Sequence, residues 1–229
     1  MREPTGTGAI AAQLQHEFAI GAAALGTLGA AYFYIYALMQ VPAGVLADTL
    51  GPRVMLTASM LIAGVGSLAY GLAGSFAAAV AARALIGLGV SAIFVCTLKL
   101  HTNWFGERRF ATAAGVSNVS GICGALAATA PLAWLVTVVS WREVHIAIGI
   151  VSIALAAAIW AGVRDAPSPS EGRIAPGAWR HALKQVVANR ATWAPFWVCF
   201  SIGGSFVTFT GLWAVPFLTH VHGMEAVEA

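Results

Sequence analysis

Between Arg53 and Lys99 the chain carries one formal charge, Arg83. A single helix of that length, at 1.5 Å rise per residue, would be roughly twice as long as a bilayer's hydrocarbon core of ~30 Å is thick. The stretch must therefore turn back on itself inside a membrane. Runs free of Asp, Glu, Lys and Arg recur at Phe18 to Ala47, Val54 to Ala82, Phe110 to Trp141, Val144 to Val163 and Ala191 to Met224, each long enough to span. Composition points the same way: 59% of residues are hydrophobic and 9% charged, whereas soluble domains carry about 25% charged residues. Such a chain cannot cover itself with a wetted surface. The 25 glycines fit tightly packed membrane helices, where small residues let backbones approach closely.

The turn in the first long stretch falls at Gly71-Leu72-Ala73-Gly74-Ser75, where glycines interrupt the helical run. With it the expectation is an all-α polytopic membrane bundle with about six spans. They are placed near 26–47, 54–72, 76–98, 111–134, 144–163 and 193–217. Residues 1–25 form an N-terminal segment, 26–163 the first helical bundle, 164–190 a polar linker, 193–217 the first helix of a second bundle and 218–229 a tail. The linker holds Pro167, Pro169 and Pro176 and five basic residues, and its part around Trp179 to Val187 suits an amphipathic surface helix.

Lys and Arg collect in cytoplasmic loops. One set of loops holds Arg53, Lys99, Arg108, Arg109, Arg164, Arg173, Arg180, Lys184 and Arg190, and the other holds Arg2 and Arg142. The first set is predicted cytoplasmic, which puts both termini outside. The N-terminal residues do not form a signal peptide core, because Gln13, Gln15, His16 and Glu17 interrupt it.

Other function classes find little support. Cys96, Cys123 and Cys199 are far apart in apolar runs, so no disulfide framework or CxxC motif exists. The six histidines have no ligand spacing; His220 and His222 are the one close pair, and no metal site or cofactor is expected. The net charge of +3 does not signal nucleic acid, which needs a basic surface stripe rather than basic residues set between apolar runs. Paired carboxylates or a nucleophile constellation for an enzyme are lacking too.

Three motifs carry a resemblance. The segment Gly44-Val45-Leu46-Ala47-Asp48-Thr49-Leu50-Gly51-Pro52-Arg53 lies in the short turn after the first span. Its glycines permit a tight turn, and Asp48 complements a helix N-terminus or a guanidinium. Arg83-Ala84-Leu85-Ile86-Gly87-Leu88-Gly89 lies in the third span. Trp104-Phe105 through Phe110 to Gly115 leads into the fourth span, followed by Gly121-xx-Gly124, Pro131-Leu132 and Trp141-Arg142. Together these resemble the signature loop, fourth helix and fifth helix of the major facilitator superfamily, from about Gly26 to about Val163 and more loosely to Pro216. The resemblance implies that the spans correspond to the family's helices 2 to 7, with helix 1 and helices 8 to 12 lacking from this chain. Two departures thin the charge network of the loop: Thr49 stands where members often carry a basic residue, and Pro52 with Arg53 where they carry a basic pair.

The resemblance makes Gly44, Asp48, Gly51 and Arg53 a gating loop. Arg83 is the one formal charge inside a span, and a buried arginine there costs about 2.5 to 3.5 kcal/mol on insertion scales. Either it faces a central cavity and binds an anionic group, or it snorkels toward the outer interface. Tyr32, Tyr36 and Gln40 form a stripe at four-residue spacing, either a polar route or an aromatic belt with ordinary packing. Asn118 needs a partner in mid-span, and packing through Ser117, Gly121 and Ala125 suits it better than solute contact. In the last span Ser201, Ser205, Thr208 and Trp213 would face the cavity by the same resemblance.

The implied function is alternating-access transport of a small polar or anionic solute, with no covalent chemistry. No carboxylate lies in a span, which favours an anion. The partners are a lipid bilayer and the solute, in a multi-pass protein of the inner (plasma) membrane. The alternatives are a transporter-like solute sensor, or a fragment without activity of its own.

Overall fold

The computed structural model describes residues 7–128, 135, 138–165 and 179–208. The regular elements among them are all helices: α1 (Thr7–Phe18), α2 (Ala22–Leu50), α3 (Pro52–Gly71), α4 (Phe76–Val90), α5 (Ile93–Trp104), α6 (Glu107–Ala127), α7 (Trp141–Gly162), α8 (Trp179–Ala188) and α9 (Arg190–Thr208). Two compact units result, Met1–Ile174 and Ala175–Ala229.

Within the described residues five helices are long and apolar enough to cross a membrane: Ala23–Leu50, Pro52–Gly71, Phe76–Trp104, Glu107–Ala127 and Trp141–Gly162. The third of these joins α4 to α5 through a break at Ser91 and Ala92. The expected span at 193–217 begins in α9, and its part beyond 208, with Trp213, lies outside the described residues, as do Pro131 and Pro167. The fold is an all-α polytopic membrane bundle. Large apolar side chains such as Leu38 (71% exposed) and Val116 (63% exposed) point outward, the arrangement expected where lipid is the solvent.

Local chemistry sets the helix ends. Gly51 has φ 89°, a region open to glycine and strained for other residues, so α2 can stop and α3 start without a linker. Pro52 follows at the first position of α3, where its missing N–H is no loss. Ser75 caps α4 by accepting a hydrogen bond from the Ala78 amide at 3.2 Å. Ser140 and Glu143 form a capping box at the start of α7.

Small residues govern the packing. α3 lies against both α4 and α7, and α2 against α4. A Cβ at Gly89 would come within 2.4 Å of the Ala63 backbone, one at Gly87 within 2.5 Å of the Tyr32 carbonyl, and one at Gly64 within 2.9 Å of the Gly149 carbonyl. These helices therefore meet backbone to backbone. One buried cluster contains Leu14, Leu28, Tyr70, Ala79, Ala82, Trp141 and Val144. A second, at the other end of α2, contains Ala43, Ala47, Leu56, Ala92 and Cys96.

Two features go beyond the sequence reading. Inside the segment 1–25, α1 is a helix whose Leu14 is 3% exposed in the first cluster. By contrast α6 buries none of its described residues, and it begins at Glu107, before the uncharged run, because its first turn carries Glu107, Arg108 and Arg109 at the polar boundary.

Candidate functional site

The chemistry-bearing residues of the first unit gather at its two ends and in its interior. At the end where α2 turns into α3, the Asp48 carboxylate pairs with the ammonium of Lys99 on α5. The sequence suggested a guanidinium or helix N-terminus for this carboxylate; the actual partner is an ammonium 51 positions on. Arg53 turns the other way. Its side chain donates to the Trp160 carbonyl from Nε at 3.2 Å and also from its terminal nitrogen, with the guanidinium 4.4 Å over the Trp160 ring. A cation at the carbonyl end of α7 is favoured by the helix dipole.

The Arg53 amide donates to the Asp165 carboxylate at 2.6 Å, Asn103 donates to the Asp165 carbonyl at 2.9 Å, and the Trp104 indole to the Arg164 carbonyl at 2.8 Å. The loop thus ties together α2, α3, α5 and the end of α7. Lys99, Asn103, Trp160 and Asp165 were not singled out from the sequence, since nothing local marks partners so distant in the chain. The turn is shorter than the motif suggested: Gly44 and Asp48 lie inside α2, which runs to Leu50, and Gly51 alone makes the turn; a Cβ at Gly44 meets nothing within 4 Å.

Arg83, half-buried on α4, is level with the last turn of α3. Eight residues beyond the Ser75 cap, it sits about 12 Å down the helix axis. Its guanidinium is 4.5 Å over the ring of Tyr70, which packs 4.7 Å from His145 and 5.3 Å from Trp141. The Tyr70 hydroxyl and the Arg83 Nε are both buried, with no hydrogen-bond partner among the described residues. Tyr70 and His145 were missed from the sequence because a single aromatic or histidine in an apolar run reads as packing.

Along α2, Tyr32 and Tyr36 stack at 6.1 Å, and the Tyr32 backbone touches α4 at Gly87, one turn from Arg83. Gln40 donates to the Ser91 carbonyl at 3.4 Å and to the Tyr36 carbonyl at 3.3 Å, meeting an acceptor beside the break between α4 and α5. Asn118 is apart from these groups, exposed on α6. In the second unit Ser201 and Ser205 are exposed on α9.

At the opposite end of the bundle Arg142 clasps three segments. It donates to the Glu17 carboxylate of α1 at 2.6 Å and 3.0 Å, to the Gly71 carbonyl at 2.8 Å and to the Ala73 carbonyl at 2.7 Å. The Trp141 indole adds a bond to Glu17 at 3.0 Å. Hydrogen bonding by Arg142 holds the Glu17 carboxyl below its usual pKa, against a smaller opposing effect of burial.

Among the described residues, a close-packed helical bundle with backbone-to-backbone crossings, five helices able to cross a membrane and a charged inter-helix turn defines a polytopic α-helical membrane protein. The chain belongs to the Major Facilitator Superfamily, whose sequence pattern matches residues 5–229. It is similar to the D-galactonate transporter of Escherichia coli O6:H1 (strain CFT073), with 29% identity over 70% of this chain and 37% of that protein. The probable sulfoacetate transporter SauU of Cupriavidus necator is 26% identical over 93% of this chain and 52% of its own length. The hexuronate transporter of Escherichia coli (strain K12) is 30% identical over 67% of this chain and 34% of its own length. The chain thus spans between a third and about half of the relatives it matches. A bacterial homologue of the human lysosomal transporter Spinster, solved inward-facing and unoccupied, has the same fold. Its TM-score is 0.60 at 21% identity, covering 95% of this chain and 52% of that one.

Proposed function

We propose that this chain supplies helices 2 to 7 of a secondary carrier that moves a small organic anion across a bacterial inner membrane, without covalent chemistry or a cofactor. The observation behind this reading is Arg83: a cation within a span whose Nε is buried near the Tyr70 hydroxyl, neither having a hydrogen-bond partner among the described residues. A buried charge in a membrane helix is costly, and its retention points to an ion or solute route. Galactonate, hexuronate and sulfoacetate, named for the relatives, are all anions and suit an arginine. Tyr32, Tyr36 and Gln40 would line the approach on α2, with Asn118 toward the lipid side.

The Asp48, Gly51 and Arg53 loop would act as the hinge at the basic side, Gly44 contributing slack. Its ties to Lys99, Trp160 and Asp165 support a rigid clamp that must loosen when a bundle rocks. The test is uptake of radiolabelled galactonate, galacturonate and sulfoacetate by cells expressing the full-length gene product. Arg83→Ala and Arg83→Lys should both abolish uptake while reaching the membrane at normal levels, because a lysine cannot offer a planar fork. Normal uptake by the alanine variant would overturn the proposal.

A further inference from the structure

We infer that the groove around Trp104 and Phe105 is a binding site for an anionic phospholipid, with the headgroup phosphate held by Arg108, Arg109 and Arg164 and the acyl chains laid along α6. Two adjoining cavities make up the groove. One, of about 320 Å³, is lined by His101, Trp104, Phe105 and Arg164 among others; the next, of about 570 Å³, shares Trp104 and Phe105 and adds Glu107, Arg108 and Arg109. Trp104 ends α5 and Arg164 follows the end of α7, so the groove opens where two candidate spans end, a position that would fall at headgroup depth in a bilayer.

Charge and polarity fit that occupant. Among the described residues none of the three arginines makes an ion pair, and all three are exposed. One carboxylate, Glu107, lies with them; that of Asp165 is engaged by the Arg53 amide. Trp104 and Phe105, 47% and 42% exposed, form the aromatic rim seen where membrane proteins meet headgroups. His101, bonded to Ser117 of α6 at 3.1 Å, keeps its Nδ1 buried in the same wall with no partner among the described residues. Above the groove α6 offers Val116, Val119, Ile122 and Leu126, each more than half exposed, as a continuous apolar track. Basic pockets between spans on the cytoplasmic side are known to take anionic headgroups. Neither a nucleic acid nor a soluble acidic protein would use the apolar track. The inference stands apart from the transport proposal, since a carrier of any solute, or of none, could bind lipid here.

Native mass spectrometry of the purified chain in detergent, titrated with phosphatidylglycerol, phosphatidylcholine or inorganic phosphate, tests it. Phosphatidylglycerol should bind roughly a hundredfold more tightly than phosphatidylcholine. That preference should weaken by about fivefold for each arginine replaced by glutamine. The triple variant Arg108→Gln, Arg109→Gln, Arg164→Gln should lose it, while the matching lysine variant, which keeps the charge, retains most of it. Lys184→Gln, in the other unit, should leave the preference unchanged. A triple glutamine variant that still discriminates between the lipids overturns the site. Inorganic phosphate displacing the lipid at equal concentration overturns the lipid as its occupant.

Discussion

Glu17 and Arg142 show how much one side-chain pair can organise, and how little of that is visible locally. The pair joins α1 to the α3–α4 turn and to the start of α7. Glu17 lies outside the spans, and its carboxyl is held below the ordinary carboxylate range chiefly by the Arg142 hydrogen bond. A group with a depressed pKa contributes stability that is present above its unfolded value, near 4.5, and is lost as pH falls through the lower folded value. Hydrogen exchange of α1 should therefore show protection that is steady near neutrality and falls on acidification below about pH 4. Glu17→Gln should lower protection at neutral pH and remove the acid-dependent step. Unchanged protection in that variant would mean that Leu14 burial alone holds α1 in place. Arg142 was legible as a rare basic residue on its side of the membrane; its partner, over a hundred positions away, was not.

Among the helices, glycine usage separates two kinds of position that look alike in the sequence. Gly87 and Gly89 follow Arg83 in one motif, and each faces another helix's backbone so closely that a side chain has nowhere to go. Gly44, inside α2, faces open space. Gly89→Leu should destabilise by about 1–3 kcal/mol, because the obstacle is the Ala63 backbone rather than a movable side chain. Gly44→Ala should be close to neutral or slightly stabilising, since alanine favours the helix. The readout is thermal exposure of Cys96, which is fully buried, in a background lacking the exposed Cys123 and Cys199. Equal midpoints for the two variants would show that the α3–α4 crossing is looser than its geometry. The motif's spacing was legible, but which glycine is sterically required depends on the neighbouring helix.

For the molecule as a whole, the uneven distribution of Lys and Arg predicts an orientation that can be checked directly. The loop with Arg108 and Arg109 should face the cytoplasm, and the turn at Gly74 the outside. In a cysteine-free background, Gly74→Cys should react with an impermeant maleimide in intact cells, and Arg109→Cys only after permeabilisation. The reverse pattern would invert the topology and place the lipid groove in the other leaflet. The same experiment locates the clamp formed by Asp48, Lys99, Arg53 and Asp165, whose members come from three helices and the residues after a fourth.

The sequence by itself determined the solvent, the helical class and the family. Hydrophobic run length against bilayer thickness, the glycine-marked turn at Gly71 to Ser75 and the motifs at Gly44–Arg53 and Arg83–Gly89 are all properties of neighbouring residues, and a chain in lipid has few other ways to satisfy its backbone. Tertiary structure decided the partnerships: Lys99 rather than an arginine for Asp48, the end of α7 rather than Asp48 for Arg53, Tyr70 beneath Arg83, Glu17 for Arg142. Those depend on which faces of distant helices meet. In a bundle whose outer surface is as apolar as its core, hydrophobic pattern does not tell the inner face from the outer one; only the close approach of backbones at small residues does.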